Sequence, residues 1–152
     1  MARPYRTTGA FIGVALAATV TLASASAEPP ERFSGTLSCS KSAFAPAARR
    51  EPVTAELKSN VVRYRHTVLD DEGTAGIGVE TGEGTIGKDG RLTLNGVWRS
   101  HTAGYAYDAR YSGTLGPKGG ELSGHQAWTI QGRKAERSCT MTLSRAGRGF
   151  LR

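Results

Sequence analysis

Few residues in this chain have types and spacings that could do chemistry. The candidate bases are His66, His101 and His125. None sits in an H-E-x-x-H, H-x-H or other metal-ligating spacing, so no metal and no cofactor is expected. His66 falls at period two between Tyr64 and Val68, which reads as a core or mouth position. His125 falls on a polar strand face and His101 in a loop beside Ser100. A Ser/His/Asp arrangement with Asp70 lacks the G-x-S-x-G setting of a nucleophile. The run Leu69-Asp70-Asp71-Glu72-Gly73-Thr74 has three acids but not the alternating ligand spacing of a calcium loop, and reads as a turn with a glycine bulge. The chemistry these residues favour is binding, not catalysis.

The aromatic residues point the same way. Of eleven in the chain, six form one set: Tyr64, Trp98, Tyr105, Tyr107, Tyr111 and Trp128. Both tryptophans close a repeated phrase, GTIGKDGRLTLNGVW at 84–98 and GTLGPKGGELSGHQAW at 113–128. Each phrase runs through a tight glycine turn into a strand whose leucine and tryptophan lie six residues apart, and hence on one face.

The elements that position these groups are strands. Apolar residues recur at period two and no stretch sustains a helical period, so the class is all-β. Eight strands are expected: 32–40, 53–58, 61–69, 75–86, 91–99, 105–115, 121–130 and 136–144. In the fourth, Ile77 and Val79 set the inward phase and Ile86 falls out of it, which calls for a bulge near Gly82 or Gly84. The short connections KSN, DDEGT, KDG, SHTAG, GPKGG and QGRK make consecutive hairpins, and hairpins in series make a meander. Cys39, near the end of the first strand, and Cys139, near the start of the last, have no C-x-x-C spacing and read as one structural disulfide. They meet if, and nearly only if, the sheet closes on itself or folds over into a flattened sandwich. The expected fold is an eight-stranded antiparallel up-and-down barrel, or a flattened barrel or sandwich, closed by one disulfide after an N-terminal signal peptide.

The signal peptide is read from residues 1–27. Arg3 and Arg6 precede an apolar run shorter than a membrane span, and Ala25 and Ala27 give an A-x-A cleavage pattern. The barrel domain is assigned to 28–144 and a basic tail to 145–152. Without Arg3 and Arg6 the 20 basic residues become 18 against 13 acidic, so the mature charge is +5. An exported protein does not normally meet nucleic acid, so that charge is read as serving solubility or attraction to anionic envelope surfaces, and a periplasmic or secreted location is expected.

Connections in a meander alternate between two ends. One end receives only tight turns. The other receives the loop 41–52, about twelve residues with no strand pattern of its own, and is where function is expected. Phe44, Arg49, Arg50, Asp70, Asp71, Glu72, His101, Arg133 and Lys134 are placed at that mouth, with His66, Trp98, Tyr105 and Trp128 just inside it. The ligand-binding set is thus His66, Trp98, Tyr105, Trp128 and Phe44. A small apolar or aromatic ligand is the first reading. The alternative is an envelope-protein partner, such as a hydrolase to be inhibited, held by Arg49 and Arg50. The third is a small outer-membrane barrel with apolar residues outward, ranked last because its strands are short and rich in arginine.

Three motifs carry a resemblance: F-x-G-T-L-x-C at 33–39, G-x-G-T-I-x-x-D-G-x-L-T-L-x-G-x-W at 82–98 and C-T-M-x-L-S at 139–144. In these the chain resembles small exported all-β proteins of alphaproteobacteria, a likeness that supplies no activity to carry over. At the level of architecture it is also similar to calycin-type barrels, the lipocalins and avidins, which hold a ligand in the mouth. The first-strand glycine and tryptophan of lipocalins are replaced here by FSGTLSC.

Overall fold

The computed structural model describes residues 29–70, 72, 73, 75–100 and 104–147. The signal peptide, Asp71, His101 and the end of the basic tail lie outside the described residues. Eight strands follow in order: β1 (Glu31–Cys39), β2 (Arg49–Lys58), β3 (Val61–Leu69), β4 (Gly76–Thr85), β5 (Arg91–Arg99), β6 (Ala106–Gly116), β7 (Gly119–Ile130) and β8 (Arg133–Arg145). Each pairs antiparallel with the next, and β1 pairs with β8 from Phe33↔Arg145 to Cys39↔Cys139, closing the barrel. The two cysteines are directly opposed partners joined by a disulfide. The barrel and its closing bond are as the sequence predicts.

The tight turns have the local chemistry that hairpins require. Ser59 and Asn60 between β2 and β3 both take positive φ, 48° and 65°, and Gln131 and Gly132 between β7 and β8 take 50° and 75°. Paired positive φ is the type I′ geometry whose twist matches that of the flanking strands.

Inward positions at the tight-turn end are almost wholly apolar. Phe33, Leu37, Val53, Val62, Leu92, Leu94, Leu115, Leu122, Met141 and Leu143 are all buried. Outward positions carry charge instead. Arg32, Glu56, Arg63 and Glu83 stand side by side across β1 to β4, with Arg32–Glu56 at 3.2 Å and Arg63–Glu83 at 3.0 Å. Among the described residues the one exposed large apolar side chain is Tyr105. The outer-membrane alternative needs the reverse, an apolar exterior band around a polar lumen, whereas these outward rows are charged.

Three expectations about the strands are corrected. β2 begins at Arg49, not at 53, so the mouth loop is 40–48 and both Arg49 and Arg50 belong to a strand, opposite Cys39 and Ser38. The buried charge of Glu51 hides the alternation there, and Pro52 is tolerated because the β2–β3 ladder runs only from Thr54↔Arg65 to Lys58↔Val61. β6 begins at Ala106, which leaves Tyr105 outside it and 48% exposed rather than inside the rim.

The third correction concerns β4. Its register shift lies between Val68 and Leu69 of β3, where Leu69 pairs with Gly76 and Ile77 is the extra residue; no shift occurs near Gly82 or Gly84. The bulge reverses the expected phase. Gly78, Glu80, Gly82 and Gly84 face inward, and Val79 does not. Ile86 is therefore in phase.

Candidate binding site at the barrel mouth

That reversal places a carboxylate at the centre of the lumen. Glu80 is fully buried, and its inward neighbours Gly78 and Gly82 leave space for larger side chains from adjacent strands. Tyr64 of β3 lies across Gly82 of β4 and reaches Gly96 of β5. A methyl group on Gly96 would overlap the Tyr64 hydroxyl, so glycine is required by close approach.

Five donors converge on Glu80. Oε1 accepts from the hydroxyls of Tyr64 (2.6 Å) and Tyr111 (2.9 Å), while Oε2 accepts from Tyr107 (2.6 Å), Gln126 Nε2 (2.6 Å) and His66 Nε2 (2.9 Å). A carboxylate has about four lone-pair sites, so this one is saturated. Burial by itself pushes the Glu80 pKa up, but the hydrogen bond and charge of His66, with the Tyr107 and Tyr64 hydroxyls, outweigh it and hold the carboxyl below its ordinary value. The phenols respond in the opposite sense. Burial first, and then the adjacent Glu80 charge, raise the pKa of Tyr64, Tyr107 and Tyr111 far above the usual range, so all three stay protonated donors.

His66 links this cluster to the wall. Its Nδ1 faces the Thr67 carbonyl at 3.3 Å and Glu51 Oε2 at 3.5 Å. The other Glu51 oxygen accepts from the Leu69 amide at 3.3 Å. Glu51 thus spans the stretch where β2 and β3 have no ladder, replacing main-chain bonds with side-chain ones.

Above Glu80 lies an aromatic row. Trp98, Tyr107 and Trp128 are register partners across β5, β6 and β7. Trp98 and Tyr107 stack at 5.1 Å between centroids, and Tyr107 meets Trp128 edge-on at 4.9 Å. The Arg137 guanidinium lies over Trp128 at 5.3 Å and donates from Nε to Gln126 Oε1 at 2.6 Å. Loop 40–48 folds across this end. Ser42 Oγ accepts from the amides of Phe44 (3.3 Å) and Ala45 (3.1 Å), and both residues pack on the core. Arg133 sits over the Phe44 ring at 5.6 Å.

Of the residues expected at the mouth, the structure brings Trp98 and Trp128 together through Tyr107, and holds Phe44 over the core and His66 one level deeper. Tyr105 does not join them. Arg49 and Arg50 flank the disulfide on the wall, around a concavity shared with Ser38, Ser138 and Thr140. His125 is outward and half-exposed, 3.7 Å from Glu136. Sequence reasoning missed Glu51, Glu80, Gln126 and Arg137, the charged and amide groups of the interior. For three of these a signal existed. Glu51, Gln126 and Arg137 each stand two residues before an expected inward residue, Val53, Trp128 and Cys139.

The interior is occupied by side chains. A groove of about 770 Å³ lies on the outer wall, along Arg32, Ser34, Thr54, Arg63, Arg65 and Thr81, not in the lumen. No helix among the described residues is long and apolar enough to cross a membrane. The fold and interior define a closed, disulfide-bonded antiparallel β-barrel with an aromatic, polar upper lumen. Comparison of the chain with protein-family models, curated proteins and solved structures returns no match.

Proposed function

We propose that the protein is exported and, in the periplasm or outside the cell, binds a small apolar or aromatic molecule at the barrel mouth without catalysis. The observation that carries this reading is the Trp98–Tyr107–Trp128 row at the end of the barrel where loop 40–48 lies, with a Phe44 ring only partly buried. Aromatic surfaces in the mouth of a small barrel, with a long loop at the same end, match the usual composition of ligand sites. The saturation of Glu80 supports binding over catalysis, since a general base needs a lone pair free for substrate.

The partner-docking alternative would have to use sheet surface, the Arg50–Ser38–Thr140 row, since Arg49 and Arg50 stand on β2. The test is native mass spectrometry of the protein purified after expression of the full chain with its leader. Titration with small aromatic molecules, followed by fluorescence of the chain's two tryptophans, complements it. A bound adduct, or a saturable change in emission, is the expected result. Neither an adduct nor any response would sink the reading.

A further inference from the structure

Arg137 is the one buried arginine or lysine among the described residues. It stands one inward step beyond Cys139, where the β1–β8 ladder ends. The loop leaving β1 passes over this stretch, since Ser40 bonds Ser138 and Phe44 lies against Arg133. The guanidinium has one acceptor, Gln126 Oε1, and one ring face, Trp128. Its Nη1 is buried with no partner.

Among the described residues no buried carboxylate is hydrogen-bonded to this guanidinium. Gln126 separates Arg137 from Glu80, whose oxygens already take five donors. Glu51 is engaged by His66 and the Leu69 amide. At the other end of the aromatic row the Trp98 indole N–H is also buried without an acceptor. The upper lumen therefore has donors in excess and a cation unmatched, an arrangement that is costly unless something else supplies the acceptor.

We infer that the ligand is a small aromatic or apolar acid whose carboxylate is held by the Arg137 guanidinium. Its ring would lie against the Trp98–Tyr107–Trp128 row, and loop 40–48, whose Phe44 packs on the core at this end beside Arg133, would move outward to admit it. A guanidinium offers a planar fork that fits a carboxylate and keeps its charge at any physiological pH. This inference rests on the mouth-binding reading and adds to it the sign and shape of the ligand's polar end.

The experiment compares three probes of nearly one shape, phenylacetate, 2-phenylethanol and phenethylamine, on the processed full chain. Binding is followed by the two indole N–H resonances in 1H–15N spectra. Phenylacetate should bind roughly 10- to 100-fold tighter than the alcohol, the ratio one charge-assisted hydrogen bond supports, and the amine should bind weakest. Arg137→Met should bring acid and alcohol to within about twofold, Arg137→Lys should keep part of the preference, and Arg50→Ala should leave it unchanged. If Arg137→Met does not fold, the order of the three probes on the wild-type protein still decides. Equal binding of acid and alcohol, or tightest binding of the amine, overturns the acid inference and leaves the mouth-binding reading standing. If no probe moves either indole resonance, both fall.

Discussion

Glu80 and Arg137 are both buried, both charged and both bonded to the same glutamine, yet their surroundings differ. Glu80 takes donors from five side chains on β3, β6 and β7, whereas Arg137 donates one hydrogen bond and leaves Nη1 bare. Gln126 marks the boundary, donating its amide N–H to Glu80 and accepting through its oxygen from Arg137 Nε. A saturated buried charge fastens strands to one another and specifies a single packing. An unsaturated one ties fewer elements together and has a donor left over for another acceptor. The lesson is that burial alone does not mark a functional group; the balance of partners around it does.

The sharpest way to break this comparison is to remove the saturated member. Glu80→Ala strips the acceptor from three phenols, an amide and an imidazole, and should lower unfolding free energy by about 3–5 kcal/mol in urea denaturation. A loss below about 1 kcal/mol would show the cluster to be dispensable. Next comes the close approach that positions one donor. Gly96→Ala pushes the Tyr64 hydroxyl off Glu80 and should cost about 1–3 kcal/mol by the same measurement.

Arg137→Met should matter less. It orphans the Gln126 oxygen but relieves an unmatched guanidinium, so the net change should stay within about 1.5 kcal/mol of wild type. A loss as large as that of Glu80→Ala would place Arg137 in the structural network and erase the contrast.

Acid sharpens the comparison further. The Glu80 carboxyl is held below its ordinary 4.5 when folded, so its contribution is fully present above that pH and fades as pH falls through the lower folded value. Chemical denaturation between about pH 5 and pH 2 should show wild-type stability falling, with a shallower fall in Glu80→Gln. Parallel curves for the two proteins would assign the acid response to other carboxylates.

Most of the architecture is legible in the sequence, because it depends on period-two patterning, glycine turns and one cysteine pair. What is not legible is the polar interior. Glu80 sits in GVETGEG, where glycine supplies no hydrophobic mark and Ile77 and Val79 suggest the opposite phase. A one-residue bulge at Ile77, invisible to a period count, decides which face carries the carboxylate. Parity alone would have turned Glu51, Gln126 and Arg137 inward, but charge and amide read as solvent-facing unless their partners are known. Those partners come from other strands, and only the closed register brings them together.

The ladder between β1 and β8 has a consequence for how this domain is carried. Phe33 pairs with Arg145 at the tight-turn end, and Glu31 bonds Arg145 at 3.1 Å. Both ends of the barrel chain therefore leave on the side opposite loop 40–48. Any tether, at either end, would present the aromatic mouth away from its anchor, and a short linker between the two ends would make the chain suitable for circular permutation.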